Sequence, residues 1–191
     1  SNLEFSSGNE FGSFIRSQNL VRFEPIPDYF VNAKVNFQSA SPSFNYLINP
    51  SVYKNLNYYF ADPKNQSITE IGGDVNLKWF KSSVFANYFR IDNYTYLDAK
   101  ALPQQSSSAV NISQIGGEAT FSYGDFHLNP KVLFQSAIGN KDVLPMPNFV
   151  GRANLFYQTK AFKKAAEIQT GIKVYYFSKF ASREFFPVLN E

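Results

Sequence analysis

The chain has 191 residues, 44% of them hydrophobic and only 17% charged, against roughly 25% charged in an ordinary soluble domain. No apolar run approaches the roughly 18 residues that a membrane-crossing helix needs, which excludes a helical membrane protein. A net charge of +3, with its densest basic cluster at Lys160, Lys163 and Lys164, is too small and scattered to argue for nucleic acid, and the absence of cysteine removes disulfides, thiolate metal sites and cysteine nucleophiles.

The length suits one domain spanning 1–191, or the larger part of one. Ser1 opens no leader-like stretch, which leaves a mature chain, a fragment or a cytoplasmic protein. Residues 3–16 are a first candidate strand segment. From 29 to 38, Tyr29, Val31, Ala33, Val35 and Phe37 alternate with Phe30, Asn32, Lys34, Asn36 and Gln38. Such a period of two marks a strand with one apolar and one polar face.

The phrase ITEIGGDVNLKWF at 68–80 returns as ISQIGGEATFSYG at 112–124, 44 positions later. In the first copy Ile71, Gly73, Val75, Leu77 and Trp79 oppose Gly72, Asp74, Asn76 and Lys78. In the second, Ile115, Gly117, Ala119, Phe121 and Tyr123 oppose Gly116, Glu118, Thr120 and Ser122. Residues 84–92 alternate least clearly. From 126 to 134 the polar side carries His127, Asn129 and Lys131, with Gln135 beyond. In 149–157 and 166–178 it carries Arg152, Asn154, Glu167, Gln169 and Lys173. These runs mostly exceed the usual strand length of about 5–6 residues and match the roughly 9–11 that a tilted membrane strand needs.

Tight turns at Lys81-Ser82, at Gly124-Asp125 and around 162–164 alternate with longer polar stretches at 61–66, 98–109 and 139–147. Short turns on one rim and long loops on the other are the habit of outer-membrane barrels. The 44-residue step then spans one strand–turn–strand–loop unit and returns to the same direction and face. Trp79, Phe80, Tyr123, Phe126, Tyr157 and Phe162 flank the short turns, while Tyr94, Tyr96 and Phe149 lie near the long loops, as an aromatic girdle would. These features predict an all-β chain: an antiparallel transmembrane β-barrel, partial, with about nine or ten strands. A soluble β-sandwich serving as a binding module would also alternate, and is an alternative.

The expected lumen lining is Lys34, Asp74, Lys78, Arg90, Glu118, Lys131, Arg152, Glu167 and Lys173, which mixes both signs, so that no strong ion selectivity is expected. Phe30, Tyr88, Phe156, Tyr175 and Phe177 share that phase and would narrow the lumen. With one histidine, His127, and no cysteine, a catalytic triad or a histidine-rich metal centre is not available, and phosphate-binding glycine motifs are absent. The sequence therefore predicts no enzyme, no metal and no cofactor.

The order of landmarks resembles the putative-porin outer-membrane barrels of the Bacteroidota. The resemblance rests on SPSFNYLINPSVYKNLNYYF (41–60), a Ser-Pro-Ser-Phe lead-in to an aromatic strand, and on NYFRIDNYTYLDAKALPQQ (87–105). It is strongest over 143–187, where a Leu-Pro-x-Pro loop precedes a tyrosine-bearing strand, a Phe-Lys-Lys-Ala turn, Gln-x-Gly-Ile-x-Val-x-Tyr and an aromatic-proline segment. It implies a cell outer-membrane barrel whose closing strands follow the segment ending here. The expected function is a passive aqueous path for small solutes, in contact with outer-membrane lipid. The alternative is a non-conducting barrel subunit of a larger outer-membrane assembly, with partner chains closing or plugging it.

Overall fold

The computed structural model describes residues 1–8, 12–50, 57–139 and 143–182. In chain order the strands are β1 (Asn2–Gly8), β2 (Gly12–Ile26), β3 (Tyr29–Ala40), β4 (Ile48–Asn49), β5 (Tyr58–Tyr59), β6 (Gln66–Leu77), β7 (Ser82–Asp92), β8 (Thr95–Leu97), β9 (Pro103–Gln105), β10 (Val110–Glu118), β11 (Phe121–Tyr123), β12 (Phe126–Ile138), β13 (Phe149–Ala161) and β14 (Ala166–Phe177). A single helical turn, α1 (Phe44–Leu47), precedes β4.

Ten of these strands form one antiparallel sheet in the order β1-β2-β3-β6-β7-β10-β12-β13-β14, with β11 paired to β12. The outer strands β1 and β14 are not paired with each other, so the sheet is open. The ribbons β4–β5 and β8–β9 stand apart from it. A sandwich would need a second sheet facing the apolar side; the described residues hold one sheet and these two short ribbons. Among the described residues no helix is long and apolar enough to cross a membrane.

The sheet follows the alternation read from the sequence. Val31, Ala33 and Val35 pair directly with Val75, Gly73 and Ile71, and Asn32, Lys34 and Asn36 with Asp74, Gly72 and Glu70. Because paired residues point the same way, the apolar and polar sets stay separate across the strands. Twelve residues of β6 at about 3.3 Å each run roughly 40 Å, which at a tilt of about 40° rises about 30 Å, close to the hydrocarbon thickness of a bilayer.

The short connections lie on one rim: residues 27–28, 78–81, 124–125 and 162–165. Each bends through left-handed backbone, at Asp28 (φ 69°), Phe80 (53°), Gly124 (56°) and Lys163 (56°). The opposite rim carries the long connections 41–65, 93–109 and 139–148. The repeated Ile-Gly-Gly phrases fall on β6 and β10, which flank β7, run in the same direction and face the same way.

Three expectations change. Residues 3–16 belong to two strands rather than one, β1 and the start of β2. The aromatic strand expected over 41–60 is α1 and the ribbon β4–β5, off the main sheet, with 51–56 outside the described residues. Pro42 and Pro50 lack the N–H that a central strand must donate on its ladder. Pro25 is accommodated differently, at a register shift between Phe23 and Ile26. The second repeat breaks at Ala119 and Thr120, where the Thr120 amide turns to the Phe80 carbonyl, yet β11 keeps the register of β10 on β12. The aromatic-proline element at 183–187 lies outside the described residues.

Candidate functional site, the polar face of the sheet

Exposure differs between the two faces. Along β7, Phe85, Asn87 and Phe89 are half-buried and Ile91 is buried, whereas Val84, Ala86, Tyr88 and Arg90 are exposed. The same split holds on β3 and along most of β12. It is what curvature toward the polar face produces. The other face leaves Val35, Ile71, Ile115, Phe134 and Ile172 each more than half exposed, a surface that no part of the described chain covers.

The polar face is laddered by hydrogen bonds. Arg22 donates to Asn32 Oδ1 (2.9 Å), Asn32 donates to Asp74 Oδ2 (2.7 Å), and Asn76 also donates to that oxygen. Glu70 accepts from Asn36 (2.8 Å) and pairs with Lys34. Arg16 donates to Gln38 (3.0 Å) and lies 3.6 Å from Glu4. Further round, Gln114 donates to Gln135 (2.9 Å), and Lys131 lies 3.2 Å from Glu118 and 5.9 Å from the centre of the Phe85 ring. Arg152 donates to Asn129 (3.3 Å). His127 stacks on Phe156 at 4.9 Å and its Nδ1 bonds the Ser122 hydroxyl at 2.7 Å, near the short-turn rim.

Of the nine residues expected to share this face, seven do: Lys34, Asp74, Glu118, Lys131, Arg152, Glu167 and Lys173. Arg90 does not. Its direct partners are Thr69 and Asn111, on the apolar face, and it ion-pairs there with Asp92 at 3.0 Å. Tyr88 lies on the same face, bonded to Asn111. The phase of β7 is inverted relative to its chemistry, with Phe85, Phe89 and Ile91 turned to the polar side. Lys78 lies past the end of β6, in the turn, where its ammonium meets the Asp28 carboxylate of the neighbouring turn at 2.7 Å. That hydrogen bond, and then the carboxylate charge, raise the Lys78 pKa above the ordinary lysine value.

At the long-loop end the polar face becomes apolar. Ile91, Val110 and Ile112 are buried there, packed with Ile68, Phe89, Tyr94, Val143, Leu144 and Met146. The last four come from the two long connections 93–109 and 139–148, and these side chains cover this end of the face. Gln105 fastens the cap, donating to the Lys64 carbonyl at 2.7 Å and accepting from the Lys64 amide at 3.0 Å. Thr95, Leu97, Ala101 and Ser106 are buried within it.

The ring of aromatics divides. Trp79, Phe80, Tyr123, Phe126 and Phe162 are more than half exposed at the short-turn rim, and Tyr157 packs on Phe126 at 5.1 Å. At the other rim Phe149 lies between Phe134 and Tyr176 on the apolar face. Tyr94 is different: it sits in the cap with Tyr96 stacked beside it at 6.2 Å, so Tyr94 packs inward rather than joining an outward girdle.

An open sheet with one uncovered apolar face, a laddered polar face and a loop cap is the geometry of a barrel wall. A family model described as Putative porin matches residues 1–191. The chain belongs to that family. A comparison with curated proteins finds no match. Among the described residues of this porin-family chain, no three His, Asp or Glu side chains come together as metal ligands.

Proposed function

We propose that this porin-family chain forms the wall of an outer-membrane β-barrel that gives small solutes a passive aqueous path. The observation that carries the reading is the division of the two faces. Ile71, Ile115, Phe134 and Ile172 stand uncovered on one side, while Asn32, Lys34, Glu70, Asp74, Gln114 and Glu118 are hydrogen-bonded side to side on the other. Lipid suits the first face and water the second. Arg90 and Asp92, at the long-loop end of β7, would then lie at headgroup level, where a long cationic side chain reaches water. Trp79, Phe80 and Phe162 would anchor the opposite interface.

A second reading, a non-conducting barrel subunit of a larger assembly, draws support from the cap. Tyr94, Val143, Leu144 and Met146 occupy one end of the polar face, and Phe85 and Phe89 project into it. Single-channel recording of the full-length protein in planar bilayers separates the readings. Stepwise conductance supports the path. A silent bilayer, with stoichiometric partners retained through mild detergent, supports the subunit.

A further inference from the structure

Charge is not evenly matched over the polar face. Of the acids of β1 and β6, Glu4 is paired with Arg16 and Glu70 with Lys34, while Asp74 accepts from the neutral Asn32, whose amide oxygen accepts in turn from the cationic Arg22. Across β10, β12, β13 and β14 the balance shifts. Lys131 has Glu118 at 3.2 Å, but the register sets Arg152 directly opposite Lys131. Lys173 follows on the next strand, opposite Asn154.

Arg152 donates to the neutral Asn129, and its Nε is buried with no hydrogen-bond partner. Among the described residues neither Arg152 nor Lys173 has an ion pair. The nearest acid along β14, Glu167, is six residues from Lys173, roughly 20 Å at strand rise, and accepts from Gln158. Two cations placed directly opposite each other repel, and a mobile counter-anion relieves that repulsion. A concave wall of low dielectric focuses the resulting positive potential into the space it encloses.

We infer that the aqueous path prefers small anions, and that Arg152 and Lys173 set the preference. The ligand chemistry is that of a small anion whose charge the guanidinium and ammonium share. This inference rests on the proposed conducting path, and its test keeps the two apart.

The experiment is the reversal potential of the full-length protein in planar bilayers under a potassium chloride gradient, with heat-modifiable migration on gels as the folding control. Chloride is expected to permeate several-fold better than potassium. The preference should be larger near 0.1 M than near 1 M salt, where the Debye length falls from about 10 Å to about 3 Å. The double variant R152Q/K173Q should lose it, while Glu118→Gln, which frees Lys131, should increase it. A conducting protein that prefers potassium or shows no preference, or one whose preference survives R152Q/K173Q, overturns the inference and leaves the path standing. No conductance from folded protein overturns the path and the inference together.

Discussion

A side-chain carbon added to Gly116 would stand 2.5 Å from Phe85 Cζ and 2.5 Å from the Val132 carbonyl oxygen, so the ring fills room that only a missing side chain leaves. Gly72, the equivalent position in the other Ile-Gly-Gly phrase, likewise makes room for the Asn87 side chain. The two phrases lie on either side of β7 and accept its polar-face side chains from both flanks. Gly116→Ala should therefore destabilise the folded barrel by about 1–3 kcal/mol through overpacking. Adding Phe85→Ala should restore only part of the loss, because the Val132 carbonyl remains. Urea titration of the refolded full-length protein, followed by the heat-modifiable gel band, checks both.

Asp74 is the acceptor on which two amides converge, from Asn32 and Asn76, and Asn32 is only 7% exposed. Asp74→Ala leaves a buried amide without its partner, at a cost of about 1–3 kcal/mol. Asp74→Asn keeps an acceptor oxygen and should cost less. Equal losses in the same titration would contradict the ladder as drawn.

Lys78 and Asp28 tie two adjacent turns at the short-turn rim. The folded lysine is raised above its ordinary value by that hydrogen bond and charge. A raised cation stabilises the fold fully below the unfolded lysine value of about 10.4 and loses that contribution as pH climbs through the folded value. The lysine's side of the tie therefore persists at neutral pH and is lost in alkali. Reductive methylation followed by NMR titration should find Lys78 titrating later than the exposed lysines, and Asp28→Asn should abolish the difference.

Much of this fold was legible in the sequence because a period of two is a local property. The phase of β3, β6, β12, β13 and β14 was readable from which residues were polar, and the 44-residue repeat placed β6 and β10 on one face. Phase failed on β7, where Arg90 and Tyr88 face outward and Phe85 and Phe89 inward. Arg90 and Tyr88 were assigned to the polar face on chemistry alone, because the glycine that admits Phe85, Gly116, lies on a different strand. The cap was equally hidden. Tyr94 is far in sequence from Leu144 and Met146, and they meet only through the long connections. Lys78 was extrapolated one residue past its strand, and the proline-bracketed segment at 41–60 was assigned on its aromatics rather than on its missing donors.

The cap predicts its own loosening. Leu144 and Met146 pack on the buried trio Ile91, Val110 and Ile112. Leu144→Ser with Met146→Ser removes that apolar contact without touching a strand, so the barrel should stay heat-modifiable while single-channel conductance rises. Unchanged conductance would mean that the cap stands clear of the path.

The central claim is that one face of this sheet meets water and the other lipid. The sequence contains no cysteine, so single cysteines can be introduced one at a time. Val75→Cys and Asn76→Cys, neighbours on opposite faces of β6, should be measured in outer-membrane vesicles with a charged, water-soluble thiol reagent. The account predicts rapid labelling at 76 and protection at 75, with the reverse order for a lipid-soluble reagent. Equal labelling of both, or labelling at 75 alone, would contradict it.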